Sequence, residues 1–140
     1  MIRRSHLLLW RWGPAVLQAV LIFFFSHQPS DSALVASFPL AGWLGHLGGY
    51  GLLALLLYRS LAGSLHTWSF RTALLVLLLA VLYGSSDELH QSFVPGREPS
   101  AADLLVDGLG ALLALGAIRL YALAWPGYRR KKITGAEESR

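Results

Sequence analysis

Four stretches of nearly unbroken apolar sequence leave this chain few folds to choose from: roughly residues 7–25, 43–61, 72–91 and 101–125. A helix needs ~20 residues to cross the ~30 Å hydrocarbon layer of a bilayer, and each stretch can reach that length. Of the 140 residues, 54% are hydrophobic and 14% charged, whereas about a quarter of a typical soluble domain is charged. The pattern predicts an all-α fold, an integral membrane four-helix bundle over residues 1–125 followed by a basic tail over 126–140, which is expected to be disordered. No stretch remains for a separate soluble catalytic domain. The chain has no Cys, which excludes disulfides, thiolate nucleophiles and Cys-ligated metals. No internal repeat is visible.

The third stretch is unusual, because its purely apolar part, residues 72–83, is only 12 residues long. To cross, it must carry Gly84, Ser85, Ser86, Asp87 and the residues up to Gln91 into the outer part of the bilayer. Polar groups at that depth must face protein or water.

Basic residues set the orientation. Arg3, Arg4, Arg11, Arg59, Arg71, Arg119 and the tail Arg129-Arg130-Lys131-Lys132 with Arg140 all fall on one side if there are four spans. Arg97 alone of the 12 Lys and Arg falls on the other. Both termini are therefore expected to be cytoplasmic. The formal charge of +4 raises nucleic acid as a partner, but charges arranged this way are a topology signal that also meets anionic lipid, so no nucleic acid is expected. A basic start before an apolar run also resembles a signal peptide. The nearest small-residue site, Val35-Ala36-Ser37, lies far past Phe25, so the first stretch is expected to stay as a helix.

The remaining polar residues gather on the outer side. Asp31, Asp87, Glu88, Glu98, Asp103 and Asp107 are six of the eight acidic residues, and they are joined there by His27, His46 and His90. Residues three and four apart share a helical face. Ala80, Tyr83, Gly84, Asp87 and Gln91 therefore form one stripe with His90 at its edge, and Asp103, Asp107, Gly110, Ala114 and Ala117 form another. His46 and Tyr50 lie together beside Gly45, Gly48 and Gly49. Since lipid does not accept ionised stripes, these faces are expected to meet in one outer pocket. It would comprise His27, Gln28, His46, Tyr50, Asp87, His90, Gln91, Arg97, Asp103 and Asp107.

Each group also has a plainer reading. Ser100-Ala101-Ala102-Asp103 is a capping box with Asp in place of Glu, and Val94-Pro95-Gly96-Arg97 is a turn. The glycines of the second stretch suit close helix packing, and Gln18 suits interhelical hydrogen bonding. Arg97 is either a counter-ion to Asp87, Asp103 or Asp107, or a planar fork for an anionic ligand. Asp107, one turn deeper than the cap, must be paired or protonated.

Taken in order, Phe25-Ser26-His27-Gln28-Pro29, then His46 with Tyr50, then Asp87-Glu88-Leu89-His90-Gln91-Ser92-Phe93-Val94-Pro95-Gly96-Arg97 with Ser100, Asp103, Asp107 and Gly110 resemble the VanZ-like family of small bacterial membrane proteins. The resemblance runs from about residue 10 to 120. It implies cell-envelope biology at the outer face of the bacterial plasma membrane, and the family's founding member is associated with resistance to the glycopeptide antibiotic teicoplanin. One departure concerns the Asp-Lys pair that the family often carries before the helix-two histidine. Here Leu44-Gly45 stands in its place, so a buried cation is missing.

Two functions fit these residues. In one, the outer pocket binds a lipid-linked cell-wall precursor or a lipoglycopeptide without chemistry, with Arg97 meeting an anionic group and Tyr50 and Phe93 holding a chain or ring. In the other, a membrane-embedded hydrolase or transferase uses Asp87 or Glu88 as base, His90 or His46 as proton carrier and Arg97 on the developing charge. Ligation of Zn²⁺ or Mn²⁺ by His46, His90 and one of Asp87, Asp103 or Asp107 is a variant of the second. No compact metal motif such as H-E-x-x-H is present, and no cofactor is expected. Membrane lipids are the expected surroundings.

Overall fold

The computed structural model describes residues 2–30, 32 and 42–125. Asp31, the Val35-Ala36-Ser37 site and the tail 126–140 lie outside the described residues. Among the described residues the fold has four helices: α1 (Ile2–Ser26), α2 (Trp43–Ala62), α3 (Phe70–Gln91) and α4 (Ala101–Ala124). There is no strand among the described residues.

Three of these helices (α1 from His6 onward, α3 and α4) are long and apolar enough to cross a membrane. Their outward faces carry Leu7, Trp10, Leu17, Phe24, Leu74, Leu78, Leu82, Leu105, Leu112 and Leu120, all exposed. A soluble monomer does not leave an apolar surface of that extent to water. The remaining helix, α2, is the most enclosed. Only Trp43, Leu44, Gly45, Gly48 and Leu52 of its 20 residues are exposed, and it packs against all three other helices. Its largest interface is with α4, whereas α1 rests on α2 and less extensively on α3 and does not touch α4.

Small residues make the α2–α4 contact close. Gly51 and Gly110 meet backbone to backbone, and a Cβ on Gly110 would run into the Leu47 carbonyl oxygen. Below them a core of Ala54, Tyr58, Ala73, Val76, Ala80, Ala111, Leu115 and Ile118 joins α2, α3 and α4. With no hydrophobic force to drive helices together in lipid, such close van der Waals packing supplies the association. The glycines singled out by sequence behave differently from this expectation. A Cβ on Gly45 or Gly48 would meet nothing, and one on Gly49 would make only ordinary contact with Ile22 and Gln18. Those glycines open a space beside α1 instead of closing it.

Local signals explain the helix ends. Gly63, at φ 74°, stops α2 with its N–H on the Arg59 carbonyl, the left-handed conformation that glycine adopts without a steric penalty. Ser69 begins α3 by accepting from the Thr72 N–H at 3.3 Å. Tyr58 pins the short turn between them, donating to the Thr67 carbonyl at 2.9 Å and accepting from the Ser69 N–H at 2.8 Å. At the same end, Arg11 reaches across from α1 to the carbonyls of Ser60 and Leu61, and Arg59 and Ser60 return hydrogen bonds to the carbonyls of Trp10 and Arg11.

Candidate functional site

The C-terminal ends of α1 and α3 and the N-terminal ends of α2 and α4 lie at one end of the bundle, where the polar residues collect. A cavity of ≈ 430 Å³ opens there between α1 and α2. Leu21, Ile22 and Phe25 form its apolar wall on α1, and Gly42, Gly45 and Gly49 form the opposite wall on α2. Gln18, Ser26, His46, Tyr50, Asp87 and Gln91 supply polar groups, and Arg97 reaches the cavity from the loop after α3.

Two hydrogen-bonded groups build this region. The first joins α1 to α3. Ser26 Oγ donates to Asp87 Oδ2 at 2.6 Å, and Gln91 Nε2 donates to the same oxygen at 3.1 Å and to Ser26 Oγ at 3.3 Å. The second joins α2 to α4, where His46 Nδ1 and Asp107 Oδ1 lie 2.9 Å apart. Asp107 is 1% exposed, so it faces the bundle and is paired, as its depth requires. The Gly51–Gly110 contact one turn deeper sets the spacing that lets these two side chains meet. Gln18 also bridges helices, donating to the Gly49 carbonyl at 3.1 Å, and Tyr83 donates to the Ala19 carbonyl at 2.6 Å.

Glu88 occupies a different face of α3 from Asp87 and looks toward α4. Its Oε2 accepts from the Ser100 N–H at 2.6 Å, while Ser100 Oγ accepts from the Asp103 N–H at 3.2 Å. The capping box expected from Ser100 and Asp103 is thus closed by Glu88 from another helix, and Asp103 supplies only its backbone. Sequence spacing marks Glu88 as a catalytic candidate but does not place it against α4. Ser26 is not distinguished by sequence from its neighbours His27 and Gln28. Its position four residues beyond Ile22 and eight beyond Gln18, on one helical face, is the signal that finds it.

His46, Tyr50, Asp87, Gln91 and Arg97 of the expected pocket line the cavity, and Asp107 backs it through His46. His27 and His90 instead form their own pair at the rim, Nδ1 to Nε2 at 3.1 Å, with Phe23 packed against the His90 ring at 4.6 Å. His90 is not part of the carboxylate–imidazole cluster. That cluster consists of His46, Glu88 and Asp107, whose nearest donor atoms all lie within 4.8 Å of one another. Gln28 lies partly buried at the end of α1, with its amide on the Phe24 carbonyl at 3.0 Å.

Arg97 makes no ion pair with a carboxylate among the described residues. Its Nε donates to the Gln28 carbonyl at 3.1 Å, and Nη2 reaches the Phe25 carbonyl at 3.4 Å. A cation there suits the negative end of the α1 dipole. The counter-ion reading is therefore corrected: the guanidinium is held by the Gln28 and Phe25 carbonyls at the end of α1 and just past it. Beside it Gly96, at φ 72°, lies so close to Ser30 Oγ that a Cβ would collide with it.

Four oxygens in this region are buried without a hydrogen-bond partner: Tyr50 Oη, Asp87 Oδ1, Glu88 Oε1 and Asp107 Oδ2. The three carboxylates thus each spend one oxygen on the protein and leave the other bare.

A family model described as VanZ/LLP1 matches residues 11–122, a range that takes in the cavity and every member of the cluster. Among curated proteins and solved structures, none matches the chain.

Proposed function

This chain belongs to the VanZ/LLP1 family, and from that premise we propose that it is a bacterial plasma-membrane protein of the cell envelope whose outer cleft binds a lipid-linked or lipophilic glycopeptide-like ligand, contributing to teicoplanin-type resistance. The observation that carries this reading is the two-sided character of the cavity. Leu21, Ile22 and Phe25 offer an apolar wall for a chain, and the open glycines facing them leave room for it. His46, Asp87, Gln91 and Arg97 offer donors and acceptors for a polar head. A volume of ≈ 430 Å³ falls within the roughly 300–1,000 Å³ of small-molecule sites, and a cleft between helices on the outer side is where a ligand entering from the outer leaflet would arrive.

The test uses a variant that fills the cleft without touching a packed neighbour. A Cβ at Gly45 meets nothing, so Gly45→Leu projects into the space and leaves the α2–α4 contact intact. The purified chain, titrated separately with a fluorescent polyprenyl phosphate and with teicoplanin, should bind at least one of them. Gly45→Leu should lose that binding while eluting as a folded protein. Binding by the variant equal to wild type overturns the assignment of the cleft.

A second reading, a membrane-embedded hydrolase or transferase acting on a lipid-linked envelope substrate, is favoured by the His46–Asp107 pair. A buried carboxylate that accepts from Nδ1–H fixes the tautomer of an imidazole and leaves Nε2 as a proton acceptor. In this reading the base at the cleft is His46, positioned by Asp107, and His90, paired with His27 at the rim, takes no part. Turnover of a lipid-linked substrate that disappears in His46→Gln and persists in His90→Gln would select it over simple binding.

A further inference from the structure

Asp107 and Glu88 each leave one buried carboxylate oxygen bare in the cluster they form with His46, and no Lys or Arg pairs with either among the described residues. Arg97 is committed to the carbonyls of Gln28 and Phe25. Asp107 is 1% and Glu88 7% exposed, yet Asp107 Oδ2 and Glu88 Oε1 lack partners. Asp107 Oδ2 faces Gly84, where a Cβ would come within 3.0 Å of it. Gly84 is one turn before Glu88 on the same helix, and its missing side chain is what lets Asp107 Oδ2 come so close to α3. A buried carboxylate in such a setting is protonated, paired with a charge or coordinated to a metal.

We infer that His46, Glu88 and Asp107 hold a divalent transition-metal ion of the Zn²⁺ or Mn²⁺ class. The donor set, one imidazole nitrogen with two carboxylates, suits these ions over Mg²⁺ or Ca²⁺, which prefer oxygen alone. The spacing also fits. Metal–ligand bonds of ~2.0–2.1 Å place adjacent ligand atoms about 2.9–3.4 Å apart, and His46 Nδ1 lies 2.9 Å from Asp107 Oδ1. The ion would replace that hydrogen bond with two coordinate bonds. Glu88 completes the set from within the 4.8 Å limit that spans all three residues, and Glu88 also fixes the start of α4 through Ser100. The ion thus ties α2, α3 and α4 together at the wall of the cleft. This site stands whether or not a lipid occupies the cleft, because its readout is the ion.

The full chain, purified in detergent, stripped with a chelator and exchanged into chelator-free buffer, is titrated with Zn²⁺ and separately with Mn²⁺, and bound metal is counted after desalting. One ion per chain is expected for the wild type. Glu88→Gln and Asp107→Asn should each weaken binding by more than the roughly 10–100-fold that losing an outer partner costs. His27→Gln and His90→Gln, which remove the exposed rim pair, should bind as wild type. If neither ion is retained by the wild-type chain above the level of empty micelles, the proposal fails. It also fails if uptake vanishes in the rim variants and survives in Glu88→Gln and Asp107→Asn. Co²⁺ loaded into the wild-type chain decides the matter should a variant not fold. The intense visible bands of a low-symmetry protein site support the cluster, and the weak spectrum of a hydrated octahedral ion overturns it.

Discussion

Replacing Gly110 by Ala tests whether the closeness of α2 and α4 creates the polar cluster. The added Cβ would overlap the Leu47 carbonyl oxygen, which is backbone and cannot rotate away. Helix α4 must then move outward by about an ångström, and overpacking of this kind costs roughly 1–3 kcal/mol. The same displacement takes His46 Nδ1 and Asp107 Oδ1 from 2.9 Å to beyond hydrogen-bonding range. A buried group left without its partner adds roughly 1–3 kcal/mol. Against these, Ala is the better helix former by up to about 1 kcal/mol. The sum is a loss of about 1–5 kcal/mol, with the middle of that range expected. Gly108→Ala and Gly116→Ala serve as controls on the same helix, since a Cβ at either position meets nothing and only the helix gain applies. Reversible unfolding by SDS in mixed micelles, followed by helix content, gives the three free energies side by side. If Gly110→Ala unfolds at the same SDS fraction as Gly108→Ala, the backbone contact does not set the helix spacing, and the reasoning fails.

Other consequences can be checked with simpler measurements. Tyr58→Phe removes a hydroxyl that serves Thr67 and Ser69 together; a loss of roughly 1–3 kcal/mol is expected in the same unfolding assay, and no loss would mean the turn holds without it. Gly96→Ala forces a left-handed residue to carry a Cβ against Ser30, so it should cost about 1 kcal/mol or more and speed amide exchange at Gln28 and Ser30; unchanged exchange would refute the contact. Because the chain lacks Cys, single cysteines report topology cleanly: one replacing Arg97 should react with an impermeant reagent added outside cells, and one replacing Ser64 should not. The reverse pattern would invert the proposed orientation.

The helices were legible because a long apolar run has little choice in lipid, where backbone groups must bond within the segment. The expected spans 43–61, 72–91 and 101–125 match Trp43–Ala62, Phe70–Gln91 and Ala101–Ala124 closely, while α1 extends back to Ile2 through basic residues that add nothing to hydropathy. Helical spacing likewise put Asp87 with Gln91 and put Asp107 on an inward face. Spacing could not supply partners, because periodicity along one helix says which way a side chain points and nothing about what it meets. That is why Glu88 at the Ser100 cap, Arg97 on the carbonyls of α1 and His90 beside His27 emerged only from the fold. The glycines misled for a related reason: absence of a side chain permits either a close contact, as at Gly110, or an opening, as at Gly45, and only the neighbour decides.

Chain order gives the α2–α4 interface a place in the history of each molecule. Helix α2 leaves the ribosome well before α4, and His46 is 61 residues ahead of the aspartate that receives it. Until α4 is inserted, the glycine face of α2 and the carboxylate of Glu88 have neither the Gly110 backbone nor the Ser100 amide to meet. A nascent chain with only its first three helices formed therefore carries polar groups in search of partners, and the last helix completes core and cluster together. Quality control that senses unpaired polar groups would meet its largest change at this step, because the fourth helix brings the partners of His46 and Glu88 together.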